Sequence, residues 1–376
     1  MLVRRCDYYM ALPRKAGDVS ISSKAVSSGS DDVMVSNRSV DDSRIMDNGI
    51  SGSRVEDGDR LKDEITVMML SDLHFGRDFG KYDCILVELM RDLAHVTQPD
   101  MIVLAGDVID SLDILDNVWA VRVLRNAIFR LAYYAPVYIG IGNHEQCHYD
   151  GGILVPSRVD FLRYYCGLKQ LELDVSESGL WPIRVLHDTS VMDENTGLRL
   201  AGITLPIEYY GLGVEQKYSV EEKDVLKKTL TECKKLGEGT CRKLMLIHSP
   251  QYLTTDLLHD VVPSWRNELV ISGHMHNGCM PIGLYGLTRR SGRGLIAPDK
   301  SLFPRRARCQ FPMESTGEME EEMVYQLTLG SFRAFSNRHK ILSALGRVLC
   351  PCEVSFLHLR EGYGQPMVKR GMFKVN

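Results

Sequence analysis

Hydrophobic positions along the chain follow two alternating patterns. Ile65-Thr66-Val67-Met68-Met69-Leu70 is a short apolar run, too brief for a helix that stands alone, and reads as a buried strand. From Tyr82 to Val96 the apolar residues Ile85, Leu86, Leu89, Leu93 and Val96 then recur at helical spacing. Met101-Ile102-Val103-Leu104-Ala105 is the next strand, a helical pattern runs from about Asp116 to Tyr134, and Tyr138-Ile139-Gly140-Ile141 follows Pro136 as a third strand. Strand, helix, strand, helix, strand at this pitch predicts an α/β fold, a parallel sheet with crossover helices.

Beyond Gly151 the rhythm loosens. A helix is predicted from Ser157 to Cys166, and strands at Ile183–Leu186 and Leu198–Ile203 flank a turn at Asn195-Thr196-Gly197. Ser219-Val220-Glu221-Glu222 fits a capping box opening a helix that continues to Leu236. Strands follow at Lys243–Ile247 and Leu269–Ser272, and Met323–Leu329 and Glu353–Leu359 are candidate closing strands.

Five of these apolar runs break into polar residues in the same way. They lead into Ser71-Asp72-Leu73-His74, Gly106-Asp107-Val108-Ile109-Asp110, Gly142-Asn143-His144-Glu145, His248-Ser249-Pro250 and Gly273-His274-Met275-His276. A lone Asp or His at a strand end is more often a cap than a ligand. In an open α/β sheet, however, groups at the carboxyl ends of strands converge on one crevice. Asp72, His74, Asp107, Asn143, His144, His248, His274 and His276 form a set of carboxylates, imidazoles and an amide with no thiolate, suited to manganese, iron or zinc. They exceed the needs of one ion, whereas two ions sharing a bridging carboxylate would use seven of them. His95, His148, His187, His259, His339 and His358 have no such setting.

Composition narrows the picture at the N-terminus. Residues 16–60 are rich in Ser, Asp and Gly, lack aromatics, and cannot bury enough surface to offset the entropy of ordering. Residues 1–62 are therefore expected to be a disordered segment, with one domain over residues 63–376. Met1-Leu2-Val3-Arg4-Arg5-Cys6-Asp7 has no apolar core of a signal peptide, and no run approaches the roughly 18 apolar residues that span a bilayer. The ten cysteines include no Cys-x-x-Cys pair and read as reduced thiols, so a cytoplasmic location is expected; Cys350 and Cys352 read as two loop thiols. A net charge of −4 argues against general nucleic-acid binding. The loop from Pro281 to Arg308 holds Arg289, Arg290, Arg293, Lys300, Arg305, Arg306 and Arg308 against the single acid Asp299. Arg293 is a candidate for binding an anionic substrate there.

The five blocks resemble the calcineurin-like metallophosphoesterases, whose motifs read D-x-H, G-D-x-x-D, G-N-H-D/E, H and G-H-x-H. The resemblance spans roughly Thr66 to Leu359. Gly292-Arg293-Gly294-Leu295-Ile296-Ala297-Pro298 with Leu302-Phe303-Pro304-Arg305 is further similar to the bacterial YkuE-like branch, although Asn277-Gly278 stands where that branch commonly has two glycines. The resemblance implies a four-layer α/β/β/α sandwich with its site at the carboxyl ends of the strands. It also implies a dinuclear centre that hydrolyses a phosphomonoester or phosphodiester by attack of a metal-bridging water. Asp72, His74 and His276 would bind the first ion, Asp107 would bridge, and Asn143, His248 and His274 would hold the second. His144 would be a general acid or a clamp on the phosphate, and Asp110 would orient a ligand histidine or cap a helix. The partner expected is a phosphate-ester substrate. A binding module without turnover and a nuclease of the same fold are the alternatives.

Overall fold

The computed structural model describes residues 2–11, 64–77, 81–210, 243–250, 269–279, 293–296, 302–304, 307, 325–333, 352–360 and 367–374. In chain order the strands are β1 (Leu2–Ala11), β2 (Glu64–Leu70), β3 (Met101–Ala105), β4 (Val137–Gly140), β5 (Cys147–Asp150), β6 (Ile153–Pro156), β7 (Ile183–Leu186), β8 (Thr189–Met192), β9 (Arg199–Ile203), β10 (Lys243–Ile247), β11 (Leu269–Ser272), β12 (Tyr325–Thr328), β13 (Cys352–Arg360) and β14 (Met367–Lys374). The helices are α1 (Lys81–Thr97), α2 (Val118–Leu131) and α3 (Arg158–Glu177).

Two sheets face each other. One runs β14-β1-β13-β2-β3-β4-β7, the other β12-β11-β10-β9-β8, and β5 and β6 form a separate hairpin. β2, β3, β4 and β7 are mutually parallel, as are β9, β10, β11 and β12. Alternate residues of each central strand therefore address opposite faces. Met68, Leu70, Ile102 and Leu104 meet Leu86, Leu89 and Met90 of α1, Leu124 and Ile128 of α2, and Leu168 and Val175 of α3. Val67, Met69, Val103 and Tyr138 meet Leu200, Leu244, Leu246, Ile271 and Leu327 of the second sheet. Helices, sheet and sheet thus make an α/β sandwich. The helix expected at 219–236 and most of the basic loop lie outside the described residues.

Among the described residues the helices form where expected, with shifted ends. Asn117 caps α2 by accepting from the Ala120 N–H at 3.1 Å, and Ser157 caps α3 by accepting from the Asp160 N–H at 3.3 Å. α3 continues past Cys166 because Leu168, Leu171 and Val175 keep the buried stripe going. Val96 of α1, expected inside, is 78% exposed, and Met90 takes the buried place instead.

Three expectations are corrected. First, the N-terminal segment is not disordered throughout: β1 lies between β13, parallel, and β14, antiparallel, with Cys6, Tyr8 and Met10 in the inter-sheet core. The Ser- and Gly-rich composition of the following residues hid the alternation of those three positions. Second, the turn at Asn195-Thr196-Gly197 does not join Ile183–Leu186 to the next strand. It joins β8 to β9, while β7 belongs to the other sheet. Third, Cys352 is not in a loop but buried in β13.

Candidate metal centre

All eight polar groups singled out in the sequence lie just past the carboxyl ends of β2, β3, β4, β10 and β11, where the two sheets open toward a common point. Five of them have left-handed backbone: Asp72 (φ 54°), His74 (φ 44°), Asp107 (φ 51°), His274 (φ 62°) and His276 (φ 47°). Asp and His tolerate this region better than most residues, at a cost of about 1–3 kcal/mol each. Neighbouring backbone offsets the strain. The Asp72 and His74 N–H groups donate to the carbonyls of Gly106 and Asp107 at 3.1 and 3.0 Å, and the Phe332 N–H donates to the Ser71 carbonyl at 2.8 Å. Gly142 serves close approach rather than a turn: a Cβ there would lie 2.2 Å from Asp107 Oδ1.

The side chains gather into overlapping groups whose ligand atoms lie within 4.8 Å of one another: Asp72, His74 and His276; Asp107, His248 and His274; and His74, Asp107 and His144. Asp107 joins the second and third, at the middle of the cluster. His276 Nε2 is 3.2 Å from Asp72 Oδ1 and 3.2 Å from His74 Nε2, while His248 Nε2 is 2.9 Å from Asp107 Oδ2. His248 Nδ1 faces the Ala105 carbonyl at 2.7 Å, which assigns its proton there and leaves Nε2 to the cluster. His144 is oriented likewise, Nδ1 on the Asp110 carbonyl and Nε2 3.9 Å from Asp107 Oδ2. Asp110 Oδ1 stands 3.4 Å from His74 Nδ1, the orienting place rather than a helix cap.

Electrostatics match the crowding. Burial opposes the charge of Asp72, but His276 and His248 hold its carboxyl down to about 2. Burial likewise opposes Asp107, and His248 and His144 keep it well below the usual carboxylate range. Burial together with His144 lowers His74 to about 4, and burial with His248 lowers His274 to about 3, so both offer lone pairs. Burial would lower His248 too, yet Asp107 beside it lifts it to about 10. The proton held between His248 and Asp107 is one that a bound cation would displace. Asp72 Oδ2, Asn143 Oδ1 and His274 Nε2 are buried acceptors without a hydrogen-bond partner among the described residues. Unpaired buried acceptors are costly, and this set fits divalent cations.

Two residues beside the cluster were given no role by the sequence. Glu145, 1% exposed, accepts four backbone N–H groups: Asp107 at 3.0 Å, Val108 at 2.7 Å, Ile109 at 3.2 Å and Gly142 at 2.7 Å. It ties the loops after β3 and β4 together. Burial and the Asp107 charge raise its carboxyl to about 7. Tyr210, ending a 3-10 turn (Ile207–Tyr210) after β9, packs its ring 5.2 Å from that of His274 and 5.9 Å from that of His248. Burial, then the Asp107 charge, pushes its phenol up. Its place as the last residue of the G-N-H-D/E motif was the only sequence signal for Glu145; Tyr210 carried none. Arg293 is exposed, beside Gly294, whose backbone crosses Gly278 two residues past His276.

The family model described as "Calcineurin-like phosphoesterase" matches residues 65–278. No curated protein matches the chain. Among solved structures, a dimetal phosphatase from Danio rerio is 14% identical, covering 71% of this chain and 87% of its own, at a TM-score of 0.37. TT1561 of Thermus thermophilus is 16% identical, covering 56% and 81%, at 0.32. The NAD nucleotidase of Haemophilus influenzae is 13% identical, covering 72% of this chain but 46% of its own, at 0.37. With TM-scores this low, assignment rests on the family match.

Proposed function

The chain belongs to the calcineurin-like phosphoesterase family, and from that premise we propose that it hydrolyses a phosphate mono- or diester at a dinuclear metal centre. In this reading Asp72, His74 and His276 hold one ion, Asn143, His248 and His274 hold the other, and Asp107 is shared. The observation that carries it is the convergence of buried, unpartnered acceptors on one point. Bound ions would supply Lewis acidity and neutralise charge on the phosphoryl group. The chain's own residues supply the rest. Asp110 and Ala105 carbonyls fix the tautomers of His144 and His248. His144 Nε2, facing the cluster, can pass a proton to the departing alkoxide and revert to the Nδ1–H form. Arg293 and its basic neighbours in sequence favour an anionic substrate, and the same loop supports placement in the YkuE-like branch. Scattered cysteines support a cytoplasmic location. No described helix is long and apolar enough to cross a membrane.

Purified protein is expected to carry about two ions of manganese, iron or zinc and to cleave aryl phosphate esters until chelator is added. His144→Asn should cut turnover by about 100-fold or more with metal content unchanged. Metal-free protein that cleaves no aryl monoester, diester, nucleotide or single-stranded DNA after manganese is supplied would sink the proposal.

A further inference from the structure

The atoms left unpaired around the cluster divide by chemical sense. Asp72 Oδ2, Asn143 Oδ1 and His274 Nε2 are acceptors and call for cations. Tyr210 Oη is different. It is a hydroxyl, buried in a residue only 5% exposed, and it too has no hydrogen-bond partner among the described residues. A phenol so placed has forfeited water for nothing in return, a cost of about 1–3 kcal/mol. An O–H that can donate, among acceptors reserved for cations, is suited to an anion that arrives with them.

Geometry restricts where that anion sits. The Tyr210 ring stands edge-on to His274 at 71° and tilted to His248 at 42°, against the two histidines grouped with Asp107. It comes from the turn after β9, a strand of the second sheet whose end carries none of the recognised motifs. The neighbouring strand, β10, leads into His248. The Tyr210 ring therefore flanks the centre from the second sheet, whereas His144 comes from the first. We propose that Tyr210 is a substrate-binding residue whose hydroxyl donates a hydrogen bond to a non-bridging oxygen of the phosphoryl group. This rests on the phosphoesterase reading. It adds a donor on the side of the phosphoryl group away from His144, so the two residues grip it from separate sheets.

Tyr210→Phe removes the hydroxyl and keeps the ring against both histidines. In manganese-loaded protein it should lower kcat/KM for an aryl phosphate and weaken inorganic phosphate binding, each about 10- to 100-fold. Metal content should match the wild type, and the thermal midpoint should equal or exceed it, because the unpaired buried hydroxyl is gone. Phosphate binding is read by calorimetry and needs no turnover, so it tests Tyr210 even if the wild type cleaves no ester, a result that would end the phosphoesterase reading instead. Phosphate affinity and kcat/KM within about twofold of wild type would overturn the assignment. So would a Phe variant that loses manganese, because the hydroxyl would then act through the histidines and not on the anion.

Discussion

A buried carboxylate costs several kcal/mol to desolvate unless hydrogen bonds compensate it, and Glu145 finds that compensation entirely in backbone. Its two oxygens each serve both recognition and geometry: Oε2 takes Asp107 and Gly142, Oε1 takes Val108 and Ile109. A Gln at this place would turn an NH2 toward amide N–H groups on one side. Glu145→Gln is expected to lose about 2–4 kcal/mol of stability by chemical denaturation and to bind manganese more weakly by calorimetry, since the Asp107 amide is one of the groups held. Unchanged denaturation and unchanged manganese affinity would show that the tie does not position the cluster. The eight cluster residues were legible in the sequence because each follows a buried strand and is polar where nothing structural requires it. Glu145 and Tyr210 were not, because their importance lies in what they touch: loops distant in sequence for one, imidazoles of another strand pair for the other.

At the scale of elements, the strands that build the site were legible and the ones that only border it were not. β2, β3, β4, β10 and β11 are buried on both faces and show as continuous apolar runs. β5 and β8 are four residues long, partly exposed and mixed in polarity, β6 is apolar but partly exposed, and β14 interrupts its apolar positions with Lys369, Arg370 and Gly371. Pairing between elements was also hidden, as where His358 of β13 sits between Asp7 of β1 at 3.1 Å and Glu64 of β2 at 3.0 Å. Burial opposes the charge of Asp7, but hydrogen bonds from His358 and Arg5 outweigh it and lower its carboxyl below the ordinary 3.8. A depressed carboxylate adds stability that is full above the unfolded value and lost as pH falls through the folded one. Asp7→Asn should therefore be less stable than wild type at pH 7 and show a shallower acid loss below about pH 4 in urea unfolding. Parallel pH profiles for the two proteins would exclude this role.

At the scale of the whole molecule, β1 joins the most distant parts of the chain. Arg4 and Glu353, 349 residues apart, form a buried ion pair at 2.9 Å. Glu353 also accepts the Gly330 N–H at 2.9 Å, next to Ser331, whose hydroxyl holds the Asp72 carbonyl. The strand thus reaches the candidate metal cluster through three residues. Deleting residues 2–11 exposes the sites of Val3, Cys6, Tyr8 and Met10. The expected loss is on the order of 5–10 kcal/mol, comparable to the whole stability of a domain. Calorimetry should show no cooperative transition in the truncated protein; a normal one would mean that β1 is dispensable. The position of β1 also sets an order in time. β1 precedes β13 and β14 in the chain and cannot pair in this sheet until both have been made, so the sheet stays open on that side in the interval. The nascent chain thus carries an unsatisfied strand looking for a partner, and any other chain able to offer one competes with the native partner until synthesis passes residue 374.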